Sequence, residues 1–278
     1  MTGNAPALAG VIGSPISHSL SPRVHGYWLR KYGIGGYYIP VEIAPGALRD
    51  GLEALRRLGF RGVNVTLPHK EEAFALADEA SSVARRIGAA NTLTFDVQRG
   101  VLADNTDGYG FLQNLHEQAP HWRASAGPAV VLGAGGAARA VVDALLSDGA
   151  PEIRLVNRTR ARAEALADRF GGKAEIVDWE ARGDCLEGAA TLVNTTSLGM
   201  AGHDVLGLDL AALPGAALVT DLVYRPLETE LLKRARARGN PGADGLGMLL
   251  HQAVPGFERW FGRCPEVDQA VRETVLAP

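Results

Sequence analysis

The segment AVVLGAGGAARAVVDALL, residues 129–146, places a glycine-rich loop between a short apolar run and a helix-like run rich in Ala, Val and Leu. The loop reads G-x-G-x-x-A from Gly133 to Ala138, a spacing typical of dinucleotide-binding turns between a strand and a helix. Gly133 can form the tight turn, Gly135 lets a pyrophosphate approach the backbone, and the small Ala138 allows close helix–strand packing. The first N–H groups of the helix would face the phosphates. Glycine turns are common, so the prediction depends on the flanking strand and helix as much as on the loop.

A second apolar run, Ile153–Val156, ends at Asn157-Arg158-Thr159. A carboxylate usually follows this strand where the ribose 2′-hydroxyl of NAD is bound, whereas a guanidinium there suits the 2′-phosphate of NADP. We therefore predict NADP rather than NAD, with Arg158 and Arg162 as ligands. The same arginines could instead form the solvated face of the next helix, and we interpret Arg160 as a surface residue.

Composition limits the classes of function that the chain can have. Its 278 residues exceed one typical domain, and a net charge of −3 provides no basic field for nucleic acid. Cys185 and Cys264 are far apart, which fits neither a disulfide framework nor a zinc site and favours a reducing cytoplasm. The first residues, MTGNAPALAG, lack the pattern of a signal peptide, and no apolar run is long enough for a membrane span.

Two serines precede the first predicted helix. The strand Leu8–Ile12 leads into SPISHSLSP, residues 14–22, and helical spacing begins at Pro22. We interpret Ser21 as the helix cap, with Pro22 in the first turn. Ser19 has no such role, so the two hydroxyls could bind a polyhydroxylated or carboxylated ligand, although serine-rich loops often have no special function.

A lysine and an aspartate each lie between a predicted strand and a predicted helix. Lys70 follows the strand 61–66 and precedes a helix predicted over 71–80, and Asp107 precedes a helix predicted over 108–117. Locally, Lys70 could be a solvated surface lysine, and Asp107 is best interpreted as a helix cap. However, polar residues at the carboxyl ends of strands are also where open α/β sheets bind their ligands.

Nine motifs occur in one order across nearly the whole chain, and together they resemble the shikimate dehydrogenase family. This resemblance implies reversible NADP-dependent reduction of 3-dehydroshikimate to shikimate, in chorismate and aromatic amino-acid biosynthesis. The motifs are SPISHSLSP (14–22), NVTLPHK (64–70), AANT (89–92), DNTDG (104–108), GAGGAA (133–138), NRT (157–159), VNTTSLGM (193–200), LVYRPLET (222–229) and DGLGMLLHQA (244–253).

The resemblance also implies a role for individual residues. It makes Lys70 and Asp107 the catalytic pair. The residues implied to bind substrate are Ser19, Ser21, Thr66, Asn91 and Gln252. Those implied to bind NADP are Gly133, Ala134, Gly135, Gly136, Ala137, Asn157, Arg158, Thr159, Arg162, Thr196, Met200, Tyr224 and Gly245.

The expected architecture is two α/β domains with a cleft between them. Residues 1–107 and 246–278 would form the substrate-binding domain, and residues 108–245 a Rossmann-type NADP-binding domain. We expect a cytoplasmic monomer or homodimer that binds small molecules and neither nucleic acid nor membrane. Three alternatives stay open: a quinate/shikimate dehydrogenase using NAD, a paralogue acting on another cyclic hydroxy acid, and an inactive binding module, which would be expected to lack Lys70 or Asp107.

Overall fold

A computed structural model describes residues 5–277, which divide into two compact units. The first unit contains the chain up to residue 106 together with residues from 250 onward, and the second contains residues 107–249. Residues 1–4 and 278 lie outside the described residues. They belong to the expected first domain, and residues 1–4 are also part of the segment interpreted as lacking a signal peptide. The prediction of an α/β fold with two α/β domains is confirmed, while the roles and boundaries expected for those domains stay a prediction.

The first unit is built on a mixed six-stranded sheet. Its strand order is β2-β1-β3-β5-β6-β4, with β1 parallel to β2 and β3, and β5 antiparallel to β3 and β6. The strands are β1 (Ala7–Gly13), β2 (Gly36–Glu42), β3 (Phe60–Val65), β4 (Glu79–Ala80), β5 (Thr92–Asp96) and β6 (Gly100–Asp104). The helices of this unit are α1 (Ser21–Lys31), α2 (Leu48–Arg57), α3 (Lys70–Ala75), α4 (Ser82–Ile87), α10 (Val254–Phe261) and α11 (Gln269–Leu276).

The second unit is a fully parallel six-stranded sheet. Its order, β12-β11-β10-β7-β8-β9, is the one typical of Rossmann folds, with the first strand of the unit at the point where the order reverses. The strands are β7 (Ala129–Leu132), β8 (Ile153–Val156), β9 (Ala174–Val177), β10 (Thr191–Asn194), β11 (Leu218–Asp221) and β12 (Gly242–Ala243). The helices are α5 (Asp107–Gln118), α6 (Gly136–Ser147), α7 (Arg160–Arg169) and α8 (Glu230–Ala237), and α9 (Leu246–His251) runs across the boundary at residue 249.

Helix α10 packs on the first sheet where a glycine makes room for it. The Trp260 indole N–H donates to the main-chain carbonyl of Leu93 at 3.1 Å. A Cβ atom on Gly62 would lie 2.1 Å from that indole nitrogen. Because such a contact is impossible, only glycine at position 62 allows Trp260 to reach the sheet, and this packing fixes the chain that follows Gln252.

Several elements differ from the predicted ones. The helix predicted over 71–80 ends at Ala75, because Glu79 and Ala80 pair with β6 as a short strand. The apolar run in residues 218–224 predicts a strand over that range, but the observed strand, β11, ends at Asp221. The sequence also predicts a last helical stretch over 249–261 that Pro255 kinks or divides; the stretch is divided, and Pro255 lies in the first turn of α10. Within residues 5–277, no helix combines the length and the apolar composition needed to cross a membrane.

Candidate active site

The predicted substrate residues of the first unit lie at one edge of its sheet. The parallel strands β1 and β3 both end there, and the Ser14 N–H donates to the Leu67 carbonyl at 3.0 Å, which joins the loops that follow the two strands. The antiparallel strand β5 begins at the same edge, where the Val65 N–H donates to the Asn91 carbonyl at 2.8 Å. Strand topology therefore brings together loops that are distant in sequence.

The serine loop differs from its predicted local structure. Helix α1 begins at Ser21, and Leu20 occupies the position before it without a side-chain cap, so the interpretation of Ser21 as the cap is wrong. Ser19 accepts a hydrogen bond from the Ser21 N–H at 3.3 Å. Ser21 is buried and Ser19 is half-buried. With Ser21 inside the helix, capping no longer accounts for its hydroxyl.

Lys70 and Thr66 follow β3 on one short turn. The Thr66 N–H donates to the Ile12 carbonyl at 2.9 Å, and the Ala90 N–H donates to the Lys70 carbonyl at 2.8 Å. Between them, the buried His69 ring contacts the Ile43 carbonyl through Nε2 at 2.7 Å. Lys70 is half-buried as the first residue of α3. The turn is thus held from three sides, which leaves little freedom to the main chain that carries Lys70.

Asn91 is bonded to Gln252, 161 residues further along the chain. Asn91 Nδ2 donates to Gln252 Oε1 at 3.2 Å, and Asn91 is buried while Gln252 is half-buried in the turn between α9 and α10. The break in the helical stretch thus brings an amide of the C-terminal segment to the edge that carries Asn91.

Asp107 belongs to the second unit and is the first residue of α5 rather than a cap before it. Only 8% of it is exposed. Locally, the next residue, Gly108, allows α5 to approach α6, since a Cβ atom there would lie 3.1 Å from the Ala140 carbonyl oxygen.

The glycine loop has the local geometry that dinucleotide binding requires. Gly133 has φ +107°, and a Cβ atom there would lie 2.5 Å from Thr195 Oγ1, so both conformation and space require glycine. Gly135 and Gly136 are exposed, and a Cβ on either would meet no atom within 4 Å. Ala134 and Ala138 are buried against the core and Ala137 is half-buried. The loop therefore presents accessible backbone at the start of α6, where a helix offers N–H groups and its positive dipole end.

The arginines after β8 divide into two kinds. Arg160 is paired with Glu164 at 2.9 Å and with Asp178 at 2.6 Å. Arg158 and Arg162 are exposed, and neither guanidinium makes a hydrogen bond or ion pair with any of residues 5–277. The surface interpretation therefore fits Arg160, and Arg158 and Arg162 keep their charges available to an anion. The Asn157 side chain donates to the Thr159 carbonyl at 2.8 Å and holds this turn.

Two further loops follow β10 and β11 and are joined by the buried Asp221. The Asp221 carboxylate accepts from Asn194 Nδ2 at 2.9 Å, the Val223 N–H at 3.0 Å and Thr229 Oγ1 at 2.7 Å. Burial raises the pKa of Asp221 to about 6, although these hydrogen bonds oppose the shift. Thr196 is bonded to the same Asn194, through Oγ1 at 2.7 Å. A single carboxyl group thus positions both loops.

Met200 and Tyr224 lie on these two loops, and Gly245 lies against the second. Met200 is 36% exposed, and burial raises the pKa of the half-buried Tyr224. A Cβ on Gly245 would be 2.4 Å from the Leu222 carbonyl oxygen. Close backbone packing is therefore sufficient reason for glycine at position 245, whether or not it contacts a cofactor.

Sequence reasoning missed several residues that support the edge of the first sheet where β1 and β3 end and β5 begins, which we call the first edge. Tyr38 donates to Asn64 Oδ1 at 2.6 Å beneath the edge. His25 stacks on the Tyr38 ring with centroids 3.8 Å apart, and burial lowers the pKa of His25 to about 3. Thr106 contacts both Asn91 and Gln252. Asn64, a polar residue within the apolar strand run Gly62–Val65, was the one signal of this network in the sequence.

No group of three or more His, Cys, Asp or Glu side chains among residues 5–277 is arranged to hold a metal ion. The polar groups gathered at the first edge are instead hydroxyls, amides and one ammonium, which suit an organic ligand with several hydroxyl or carboxylate groups.

Three family models match successive parts of the chain. One described as "Shikimate dehydrogenase substrate binding domain" matches residues 11–93, "Shikimate / quinate 5-dehydrogenase" matches residues 116–199, and "Shikimate 5'-dehydrogenase C-terminal domain" matches residues 245–276.

Individual proteins match the chain over nearly its full length. It is 57% identical to the shikimate dehydrogenase (NADP(+)) of Jannaschia sp. strain CCS1, covering 100% of both chains. Among solved structures, it is similar to shikimate 5-dehydrogenase from Thermus thermophilus in complex with NADP(H) and shikimate, with 40% identity, a TM-score of 0.85 and coverage of 97% and 98%. It is also similar to quinate dehydrogenase from Corynebacterium glutamicum in complex with NAD, with 34% identity, a TM-score of 0.90 and coverage of 98% and 99%.

Proposed function

This chain belongs to the shikimate dehydrogenase family, and from that premise we propose that it catalyses the reversible NADP-dependent reduction of 3-dehydroshikimate to shikimate. One observation carries the proposal: the hydroxyl, amide and ammonium groups expected to bind substrate are gathered at the edge of the first sheet where β1 and β3 end and β5 begins. Such an edge is where open α/β sheets bind ligands. Shikimate, with one carboxylate and three hydroxyls, matches that set of groups.

The second unit fits NADP by the chemistry of its exposed groups. Gly135 and Gly136 leave space beside the start of α6 for a pyrophosphate, and the Arg158 and Arg162 guanidinium groups, without a partner in the described part of the chain, suit a 2′-phosphate. Asn157 and Thr159 hold the turn between them. When bound, the nicotinamide ring supplies or accepts the hydride.

Lys70 is proposed as the proton donor to the substrate. In the reduction direction, negative charge develops on the ring carbonyl oxygen, so that oxygen needs a cation and then a proton. The Lys70 ammonium can provide both. Asp107 is proposed as the second member of the catalytic pair, which takes part in the same proton transfer. The reverse direction uses the same two groups, with Lys70 accepting the hydroxyl proton.

The remaining groups of the first edge are proposed to select the substrate. Ser19, Ser21, Thr66, Asn91 and Gln252 would hydrogen-bond the hydroxyls and carboxylate of shikimate. A site built to pair with such groups rejects analogues lacking them, because its own buried donors and acceptors are then left unpaired.

A second candidate function is oxidation of quinate with NAD, and the similarity to the quinate dehydrogenase in complex with NAD favours it. Against it, an NAD site usually has a carboxylate after the second strand of the nucleotide unit. That position is occupied by Asn157 and Arg158.

We further propose that the protein acts in the cytoplasm on small molecules, as a monomer or homodimer, without nucleic-acid or membrane partners. Cys185 and Cys264 are both free thiols, which suits a reducing compartment. The net charge of −3 offers no attraction to nucleic acid.

Initial rates with shikimate and with quinate, each with NADP and with NAD, test the proposal. The absorbance of the reduced cofactor reports each rate. The proposal predicts that shikimate with NADP is the fastest combination by at least about tenfold, since one charge-assisted pair contributes roughly 1.5–3 kcal/mol. A dominant rate with quinate or with NAD would contradict the proposed substrate or cofactor specificity. Inactivity in all four combinations would favour a paralogue with another substrate or an inactive binding module.

A further inference from the structure

Thr106 is at the centre of the hydrogen bonds that hold Asn91 and Gln252. It is buried, with 2% of its surface exposed, and it immediately precedes Asp107. Its N–H donates to Asn91 Oδ1 at 2.8 Å. Its hydroxyl oxygen accepts from Asn91 Nδ2 at 3.0 Å, and its O–H donates to the main-chain carbonyl of Gln252 at 2.7 Å.

These contacts determine which way the Asn91 amide faces. A main-chain N–H can only donate, so the Asn91 atom that faces the Thr106 N–H must be the amide oxygen. The other end of the amide is therefore the NH₂ group, which donates to the Thr106 hydroxyl and to Gln252 Oε1 at 3.2 Å. Because Gln252 Oε1 is an acceptor there, Gln252 Nε2 is the donor end of that side chain. The orientation of both amides follows from one main-chain donor.

The hydroxyl of Thr106 has one proton and three nearby acceptors. Its contact with the Gln252 carbonyl is 2.7 Å, its contact with Asn91 Oδ1 is 3.2 Å, and its contact with Thr92 Oγ1 is 3.3 Å. The shortest contact takes the proton, which leaves the hydroxyl lone pairs to accept from Asn91. The same hydroxyl thus ties the turn between α9 and α10 to the start of β5.

A series of hydrogen bonds beneath the first edge also ends at the Asn91 side chain. Tyr38 donates to Asn64 Oδ1, Asn64 Nδ2 donates to Thr92 Oγ1 at 3.1 Å, and Thr92 Oγ1 donates to Asn91 Oδ1 at 2.9 Å. Each hydroxyl proton is committed to the next residue. Two donors, the Thr92 hydroxyl and the Thr106 N–H, therefore face the same atom of Asn91, and that atom must be the amide oxygen.

We propose that Thr106 is a positioning residue that orients the Asn91 and Gln252 amides toward the substrate. The inference rests on the proposed function, in which those amides bind shikimate. Thr106 acts through Asn91 and Gln252, and the proposal requires no contact between Thr106 and substrate or cofactor.

Three substitutions separate this role from a general effect on folding. Thr106→Val keeps the shape and the main-chain N–H but removes the hydroxyl. Thr106→Ser restores it. Thr94→Val is the matched control, because Thr94 lies on the adjacent strand and its buried hydroxyl has no hydrogen-bond partner within residues 5–277.

Steady-state kinetics with shikimate and NADP give the first readout. Removing the hydroxyl takes away one acceptor of the Asn91 NH₂ group and the donor to the Gln252 carbonyl, and the loss of these two hydrogen bonds corresponds to roughly a tenfold or larger effect. Thr106→Val should therefore raise the KM for shikimate about tenfold or more and leave the KM for NADP within about twofold. Thr106→Ser and Thr94→Val should stay within about threefold of the unchanged protein. An equal rise in both KM values, or an equal loss in Thr106→Ser, would assign Thr106 a structural role and overturn the proposal.

Side-chain amide NMR gives a second readout that does not need catalysis. The NH₂ protons of Asn91, identified by their loss in Asn91→Asp, should exchange slowly with water in the unchanged protein and rapidly in Thr106→Val. Equal exchange in both proteins would contradict the positioning role even if the enzyme is active. An inactive protein with slow exchange that is lost in Thr106→Val would contradict the proposed function and support the positioning role.

Discussion

The carboxyl edges of the two sheets are built in different ways. The first edge consists of side chains whose amides and hydroxyls are fixed by buried hydrogen bonds, as in the contacts among Asn91, Thr92 and Thr106. The second edge consists of exposed backbone at Gly135 and Gly136 and of the Arg158 and Arg162 guanidinium groups, which have no partner among residues 5–277. The first edge is organised by its own hydrogen bonds, and the second offers accessible N–H groups and exposed positive charge.

This difference matches the two kinds of ligand. A small ring with several hydroxyls can be distinguished from its analogues only by donors and acceptors in fixed positions. A phosphate is bound through its charge by an exposed arginine, and the main-chain N–H groups at a helix N-terminus bind it without side chains. Substitutions at the first edge should therefore change turnover or substrate affinity, and substitutions at the second should change cofactor affinity or loop stability.

The largest effect is expected from Lys70→Ala at the first edge. Loss of the proton donor should lower kcat about 10³-fold, within the range for general acid–base catalysis, while shikimate still binds because the serines and amides remain. Initial-rate assays measure kcat, and calorimetry measures the affinity for shikimate. Lys233→Ala, at an exposed position on α8, is the matched control. A turnover number close to that of the control would remove Lys70 from the mechanism.

A smaller effect is expected from Arg158→Ala at the second edge. Loss of a charge-assisted contact with the 2′-phosphate should raise the KM for NADP by about 10- to 100-fold and leave the KM for NAD nearly unchanged. Arg160→Ala is the matched control, since Arg160 already pairs with Glu164 and Asp178, and it should change neither value more than about twofold. If the two variants behave alike, the distinction between paired and unpaired arginines has no functional meaning.

The smallest effect concerns the stability of the second unit. Burial raises the pKa of Asp221 from 3.8 to about 6, so the folded state binds a proton more tightly than the unfolded state. The stability that this proton contributes is present below about pH 4 and is lost as pH rises through about 6, on the order of 3 kcal/mol. Relative to Asp221→Asn, the unchanged protein should therefore lose free energy of unfolding over that interval.

Urea unfolding at several pH values measures this difference. Asp168→Asn, an exposed aspartate on α7, controls for the loss of a negative charge. A constant difference between the unchanged protein and Asp221→Asn across the interval would show that Asp221 does not titrate differently in the folded state.

The second unit is more fully predictable from the sequence than the first, and the reason is physical. The bounds predicted for strands 129–132 and 153–156 are the observed ones, because strands of a parallel sheet are buried on both faces and appear as continuous apolar runs. The glycine loop follows from local backbone geometry, as the positive φ of Gly133 shows. Such features depend on neighbours in sequence, so a local pattern contains them.

The supports of the first edge depend instead on contacts between distant segments. Asn91 and Gln252 are 161 residues apart, and the role of Thr106 arises only when β5, β6 and the α9–α10 turn meet. Likewise, the helix predicted to reach residue 80 gives way to a strand because β6 offers a pairing edge. Helical propensity in that segment is overridden by tertiary pairing, which local patterns do not record.

A double-mutant cycle of Thr106→Val and Arg158→Ala addresses the division of labour between the two edges. The KM for shikimate and the KM for NADP are measured in both single variants and in the double variant. We predict that each substitution raises only the KM of its own ligand and that the effects on kcat/KM are additive to within about 0.5 kcal/mol. A rise in the shikimate KM caused by Arg158→Ala, or a coupling energy above about 1 kcal/mol, would contradict separate substrate and cofactor edges.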